Sequence, residues 1–515
     1  MPISENKRIA LNTGVLYIKL ILSIFIGLYT SRIILQALGA SDYGLYTVVG
    51  GIVSMMNFLG TTMVSVTYRY IIVELGKGEH GNPNKVFNTS LCIHIILALL
   101  LILVGETFGI YYIKDIANFA QDKIDDAIFV LHMSLVATAL NILSIPYNGL
   151  IIAREKFVFT ALVEIGRSII KLILVIALTH YIGNRLRMFS IIVTFYTIIL
   201  PISLFIYCNI RDKKIIQWAF NTKREDYKDI LKFAFWIMIG AIAAIGQNQG
   251  SNMIINLFFN TTINAAFGIG FQINNYVMMF VQSLNQATVP QIMKNQNGQN
   301  SNRSLTLIYG ISKYAFFIMF VIAIPLILNL DFVLKAWLID VPPYTKIFAT
   351  LLLICGLIRC LGAGFDSAIQ ATGKIRPMQI FYSCAYLSVL PVAYFLYRLN
   401  FPVYSRLICT IIAACAVLFF QTTYLRNITQ FNIKVYTQKT IYPCFTITIL
   451  SLPLWGIRMM FSNSFSDFLI TSFISFIWIT SSIILLGLNK EEKQKIRHLI
   501  NQKLSHTTRH EKSQN

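Results

Sequence analysis

The chain has 515 residues, 56% of them hydrophobic and only 13% charged, with a mean hydropathy of +0.64. That charged share is about half of what a soluble domain carries, so a soluble globular protein is excluded. The net charge of +21 does not argue for nucleic acid, because the basic residues sit between apolar runs rather than on one polar face.

A bilayer-spanning helix needs about 20 mostly apolar residues. By that measure the sequence predicts an all-α integral membrane protein with fourteen spans: 12–36, 45–72, 87–113, 127–150, 157–180, 188–209, 231–258, 263–289, 306–330, 347–370, 378–397, 404–425, 440–460 and 466–488. The run behind Met1–Ala10 is too long for a cleaved signal peptide. The eight cysteines fall in or beside apolar runs without metal-ligand or disulfide spacing, and read as packing residues.

The first span and the break after it appear twice. Ser31-Arg32-Ile33-Ile34-Leu35-Gln36 is echoed by Ser251-Asn252-Met253-Ile254-Ile255-Asn256 at an offset of 220 residues. Tyr147–Ala153, followed by Lys156, is echoed by Phe365–Ala371, followed by Lys374, at an offset of 218. Two matches at nearly one offset predict two pseudo-symmetric six-helix lobes, 1–210 and 231–426, joined by a basic linker, 211–230. Spans thirteen and fourteen form an accessory pair (427–488), and a basic tail (489–515) follows, starting as a short surface helix. With the N-terminus in the cytoplasm, the connections, ends and span edges on that side hold 27 Lys and Arg against 9 on the other. Both termini are therefore expected in the cytoplasm.

Charges within the spans must face protein or water, since each costs about 2.5–3.5 kcal/mol at the centre of the hydrocarbon. Seven basic residues are so placed: Lys19, Arg32, Arg69, Arg167, Lys171, Lys313 and Arg359. Arg69 and Lys313 lie near span ends, where snorkelling suffices, and Lys19 is shallow enough to do the same. Span five carries Glu164, Arg167 and Lys171 on one face. A Glu164–Arg167 pair would neutralise itself and leave Lys171 in need of an anion. Asp366 is a candidate partner, and Asp366 and Glu164 are the candidate ion-coupling residues. Span eight carries a stripe of Asn264, Gly268, Gln272, Asn275, Met279, Gln282 and Gln286 along one face. Gln249, Asn252 and Asn256 share a face of span seven. Single polar residues serve as interhelical glue, but seven in register predict a hydrated surface. Amides suit sugars and arginine or lysine suits phosphate. The expected site is thus a hydrophilic, electropositive cleft between the lobes.

The stretch Thr30–Tyr46, with Arg32 followed by Leu38-Gly39-Ala40-Ser41-Asp42-Tyr43-Gly44-Leu45-Tyr46, resembles the polysaccharide-export, O-antigen-flippase type of the multidrug/oligosaccharidyl-lipid/polysaccharide (MOP) flippase superfamily. Arg69–Gly78 and the Ala153-Arg154-Glu155-Lys156 turn carry the likeness further. The resemblance implies a two-lobed, fourteen-helix, MATE-like transporter in the cytoplasmic membrane, monomeric and without cofactor or metal. By alternating access it would carry an oligosaccharide on undecaprenyl pyrophosphate to the outer leaflet, coupled to a proton or cation gradient, with a glycan polymerase as a partner. Arg32 matches the family's cavity arginine. Its counterpart is Asn252, so Arg167, Lys171 or Arg359 would complete a phosphate site. Two other readings compete. A MATE-type cation-coupled drug exporter should hold more acid than base inside its spans. A membrane glycan polymerase needs room for an external catalytic domain, and the outward connections are about a dozen residues long.

Overall fold

A computed structural model describes residues 5–55, 57–116, 121–259, 261–297, 301–338, 341–462, 464–490 and 492–494. Within the helices some side chains, including those of Arg32, Asn252 and Asn264, fall outside that description. No strand occurs among the described residues. The helices are α1 Glu5–Met55, α2 Asn57–Gly76, α3 Pro83–Tyr111, α4 Ile124–Ala153, α5 Phe157–Thr179, α6 Arg185–Arg211, α7 Lys213–Ile216, α8 Arg224–Phe258, α9 Thr261–Asn297 and α10 Ser301–Leu328. They continue as α11 Leu330–Trp337, α12 Thr345–Leu361, α13 Phe365–Thr372, α14 Arg376–Leu387, α15 Val389–Arg398, α16 Ser405–Ile428, α17 Ile433–Tyr436, α18 Tyr442–Leu450, α19 Pro453–Met459 and α20 Phe465–Ser482.

Nine described helical stretches are long and apolar enough to cross a bilayer, or ten if α12 and α13, bent by 44°, make one span. The other expected spans fall on α1 with α2, on α5 and on α9, all helical among the described residues. The break expected over 39–44 is narrower than the sequence suggests. The helical backbone is interrupted at one residue, Gly39, where φ is 76° and ψ is 170°. Only glycine adopts that backbone without strain. Helix starts follow local chemistry. Asn82 accepts from the Lys85 amide with Pro83 behind it, Asn184 accepts from the Arg187 amide, and Ser464 accepts from the Asp467 amide.

The chain forms two compact units. The first is Met1–Ile245 with Ser283–Ser304 and Ser367–Ser383. One of its cores joins α2, α3, α4, α6 and α7 through Ile71, Phe87, Leu150, Ile151, Leu204, Cys208 and Ile215. Another joins α1, α5 and α6 through Ile34, Leu38, Val175, Leu178, Phe189 and Ile192. Close approach of α3 and α4 depends on Gly105 and Gly109. A Cβ at either position would fall within 3 Å of the Leu135 or Leu131 side chain, the small-residue packing that membrane helices use in place of a hydrophobic drive. The end of α9 packs in the same unit, with Ala287 against Leu16, Ile152 and Phe157, and Met293 against Ile72 and Ala371. Beside them Gln291 Nε2 donates to Glu155 Oε1 at 2.5 Å, and Arg69 Nε donates to the Gln370 carbonyl at 2.5 Å. Arg69 also lies over the rings of Tyr70 and Phe233, so it is held by protein, where the sequence suggested snorkelling.

The second unit is Gly246–Gln282 with Leu305–Asp366 and Cys384–Asn515. Its core joins α8, α9, α12 and α16 through Ile255, Phe267, Phe348, Leu352, Val403 and Leu407. Lys313 corrects another expectation. Far from snorkelling, it is 1% exposed, and its Nζ donates to both oxygens of Glu492 at 2.7 and 2.6 Å. Tyr314 Oη donates to the same carboxylate at 2.9 Å, and the Asn489 amide does so at 2.7 Å. Glu492 belongs to the start of the expected tail, whose remainder beyond 494 lies outside the described residues.

Candidate functional site: a cationic helix face and an amide stripe

In the first unit the candidate residues gather on α5. Glu164, Arg167 and Lys171 are all half-buried. Glu164 forms an ion pair with Lys19 of α1. The local pair with Arg167 is not made, and Lys19 is bound rather than snorkelling. Arg167 and Lys171 share a different neighbour, Tyr196 of α6. The guanidinium lies 6.0 Å and the ammonium 5.0 Å from the ring centroid. Neither cation has an ion pair or hydrogen bond among the described residues. A tyrosine face offsets roughly 0.5–2 kcal/mol per cation, less than the cost of holding two like charges one turn apart in a span.

Depth sharpens this. At 1.5 Å per residue, Arg167 lies about 15 Å from the start of α5 and Lys171 about 12 Å from its end. A lysine or arginine side chain reaches about half that distance. If α5 crosses a hydrocarbon layer about 30 Å thick, neither reaches an interface.

In the second unit α9 exposes Gly268, Gln272, Asn275 and Gln282, with Met279 half-buried; Gln286, also exposed, belongs to the first unit. Its opposite face is the buried one, with Phe267, Gly270, Ile273, Val277 and Val281. The stripe is therefore the unpacked side of an amphipathic helix. Interhelical glue, the competing explanation for such residues, would bury them. Within the stripe Gln272 Nε2 donates to Tyr276 Oη at 3.1 Å. Arg359 on α12 is exposed, its Nε donating to Tyr386 Oη at 3.1 Å with the guanidinium over that ring. Asp366 lies at the α12–α13 bend, with Oδ1 accepting from Gln421 Nε2 at 2.9 Å. The side chains of Arg32 and Asn252 lie outside the described residues.

Sequence reasoning missed the aromatic shelf under the cations. Tyr196 and Tyr386 each receive a basic side chain from a neighbouring helix, and no local spacing signals such a contact. A tyrosine within an apolar span, as Tyr196 in Ile191–Leu200, is the available cue.

Long apolar helices, several of them carrying a polar face, define an all-α integral membrane fold. No family model matches the sequence, and no curated protein matches it. Solved structures identify the fold more closely. A MATE transporter in its bent conformation superposes with a TM-score of 0.72 at 14% identity, covering 82% of this chain and 95% of that one. An outward-facing multidrug resistance MATE family transporter of the MOP superfamily gives 0.70 at 14% identity, over 82% and 96%. A MOP superfamily transporter from Pyrococcus furiosus, described as having a binding pocket of reverse polarity that suggests a different function, gives 0.67 at 13% identity, over 81% and 94%. The chain has the MATE-like fold of MOP-superfamily transporters.

Proposed function

We propose that the protein is a flippase that carries a lipid-linked oligosaccharide, held on undecaprenyl pyrophosphate, from the cytoplasmic to the outer leaflet by alternating access. The observation that carries the reading is the Arg167–Lys171 pair, two cations side by side in mid-helix on one tyrosine ring, with no carboxylate bound to either among the described residues. Such a pair attracts a dianionic group, and a diphosphate supplies two charges and several acceptors on one ligand. The exposed amides Gln272, Asn275 and Gln282 of α9 offer donor–acceptor pairs for sugar hydroxyls. In this reading two six-helix lobes rock about the substrate, with Arg32 and Arg359 contributing further positive charge and Asn252 extending the amide surface. Asp366 or Glu164 carries the coupling ion. The protein sits in the inner membrane with both termini in the cytoplasm and acts as a transporter rather than a catalyst.

A cation-coupled drug exporter is the second reading, favoured by the multidrug MATE structures that share the fold. Its cationic solutes are poorly served by an uncompensated Arg–Lys pair. The description of the Pyrococcus furiosus transporter illustrates that pocket polarity varies on this fold.

The test is replacement of Arg167 and Lys171 by alanine in the native host. The double variant should reach the membrane at normal abundance yet lower surface glycan to less than about a tenth, with drug susceptibility unchanged. Normal surface glycan, or a susceptibility change without a glycan change, rejects the flippase reading.

A further inference from the structure

We infer that the second unit contains a buried binding site for a small monovalent anion of halide size, formed by Ser405 and Arg406 at the start of α16. The inference does not rest on the transport reading, and neither residue is part of the site described above.

Arg406 is 2% exposed and Ser405 is 6% exposed. Arg406 Nε and Nη1 and Ser405 Oγ are all buried without a hydrogen-bond partner among the described residues. Three donors on two consecutive residues are thus left over where buried polar groups are almost always satisfied. The guanidinium rests on the Phe267 ring at 4.4 Å. Phe267 stands edge-on to Phe348, within the cluster that includes Leu352, Val403 and Leu407. No carboxylate among the described residues compensates the charge. The titratable groups that face it are a phenol, Tyr397, and two thiols, Cys355 and Cys409. Tyr397 Oη donates its own proton to the Val403 carbonyl at 2.5 Å.

Chemistry narrows the ligand. Arginine does not shed its proton, so the buried charge cannot be relieved by neutralisation. A ring face offsets only part of the desolvation. A water molecule would satisfy the hydrogen bonds but leave the charge. A phosphate would bring more acceptors than three donors can serve. A halide brings one negative charge, accepts from several donors at once, and tolerates an aromatic wall because it is weakly hydrated. The first turn of a 24-residue helix adds its own positive field at that place.

The experiment uses the full-length protein in detergent. Thermal unfolding is followed while sodium gluconate is exchanged for sodium chloride at constant ionic strength. The wild-type Tm should rise with chloride and saturate. Ser405→Ala should need about tenfold more chloride for half the effect, the loss of one hydrogen bond to a charged group. Arg406→Gln should lose the response. Equal wild-type Tm in both salts, or a full response in Arg406→Gln, overturns the site. Should Arg406→Gln fail to fold, anomalous scattering from wild-type crystals grown in bromide decides. A bromide peak beside Arg406 supports the site, whereas water there, or no peak, refutes it.

Discussion

Lys313 and Lys171 are both lysines within apolar helices, yet the protein treats them in opposite ways. Lys313 is buried and neutralised, with two contacts to the Glu492 carboxylate and Tyr314 beside it. Lys171 is half-buried and left with a tyrosine ring. A buried ion costs several kcal/mol unless it is paired, so the first arrangement is what stability alone would select. The second keeps a charge that pairs with no carboxylate among the described residues. On the flippase reading proposed above, that charge is held for the diphosphate of the substrate. Lys19 belongs with the first kind, since its ammonium is committed to Glu164.

Breaking the comparison on the structural side gives the largest effect on stability. Glu492→Gln strands Lys313 and should lower unfolding stability by about 3 kcal/mol, read as a drop in Tm. Adding Lys313→Met should recover most of that loss; no recovery would mean that the pair is not what stabilises this region. Lys19→Met is expected to cost less, about 1–2 kcal/mol, because the Glu164 carboxylate it leaves behind is only partly buried. Lys171→Met should change stability by under about 0.5 kcal/mol, or raise it, since a cation leaves a span without orphaning a partner. A large loss there would place Lys171 with Lys313, as a structural residue.

Acid titration sharpens the same contrast with a smaller effect. Burial pushes the Glu492 carboxyl up, but hydrogen bonds from Lys313, the Asn489 amide and Tyr314 outweigh it and hold it below the usual glutamate range. A carboxyl lowered in the folded state contributes stability that is fully present above its unfolded pKa and fades as pH falls through the folded one. The Tm of wild type should therefore fall more steeply than that of Lys313→Met/Glu492→Gln below about pH 4.5. Parallel curves would assign acid sensitivity to other carboxylates.

What the sequence made legible follows from the range of each interaction. Apolar runs mark the long helices, because burial in lipid depends on composition over about 20 neighbouring residues. The polar face of α9 and the Glu164–Arg167–Lys171 face of α5 were readable from helical spacing alone. Pairings across the chain were not. Lys19 and Glu164 lie on different helices, and Lys313 sits 179 residues from Glu492, so position near a span end made snorkelling the natural expectation. Arg406 likewise reads as one more basic residue at the mouth of a span, and only packing against Phe267 and Phe348 turns it into a buried cation.

The distance of Glu492 from Lys313 also sets a timetable for biogenesis. The ribosome must add 179 residues after Lys313 before its counter-charge exists, an interval of roughly 9–36 s at ordinary elongation rates. Throughout that time the nascent bundle carries an uncompensated ammonium, which is neutralised only after Glu492 has been added. Chains cut short of Glu492 would keep that ammonium unpaired, and membrane quality-control proteases should clear them faster than chains that carry it.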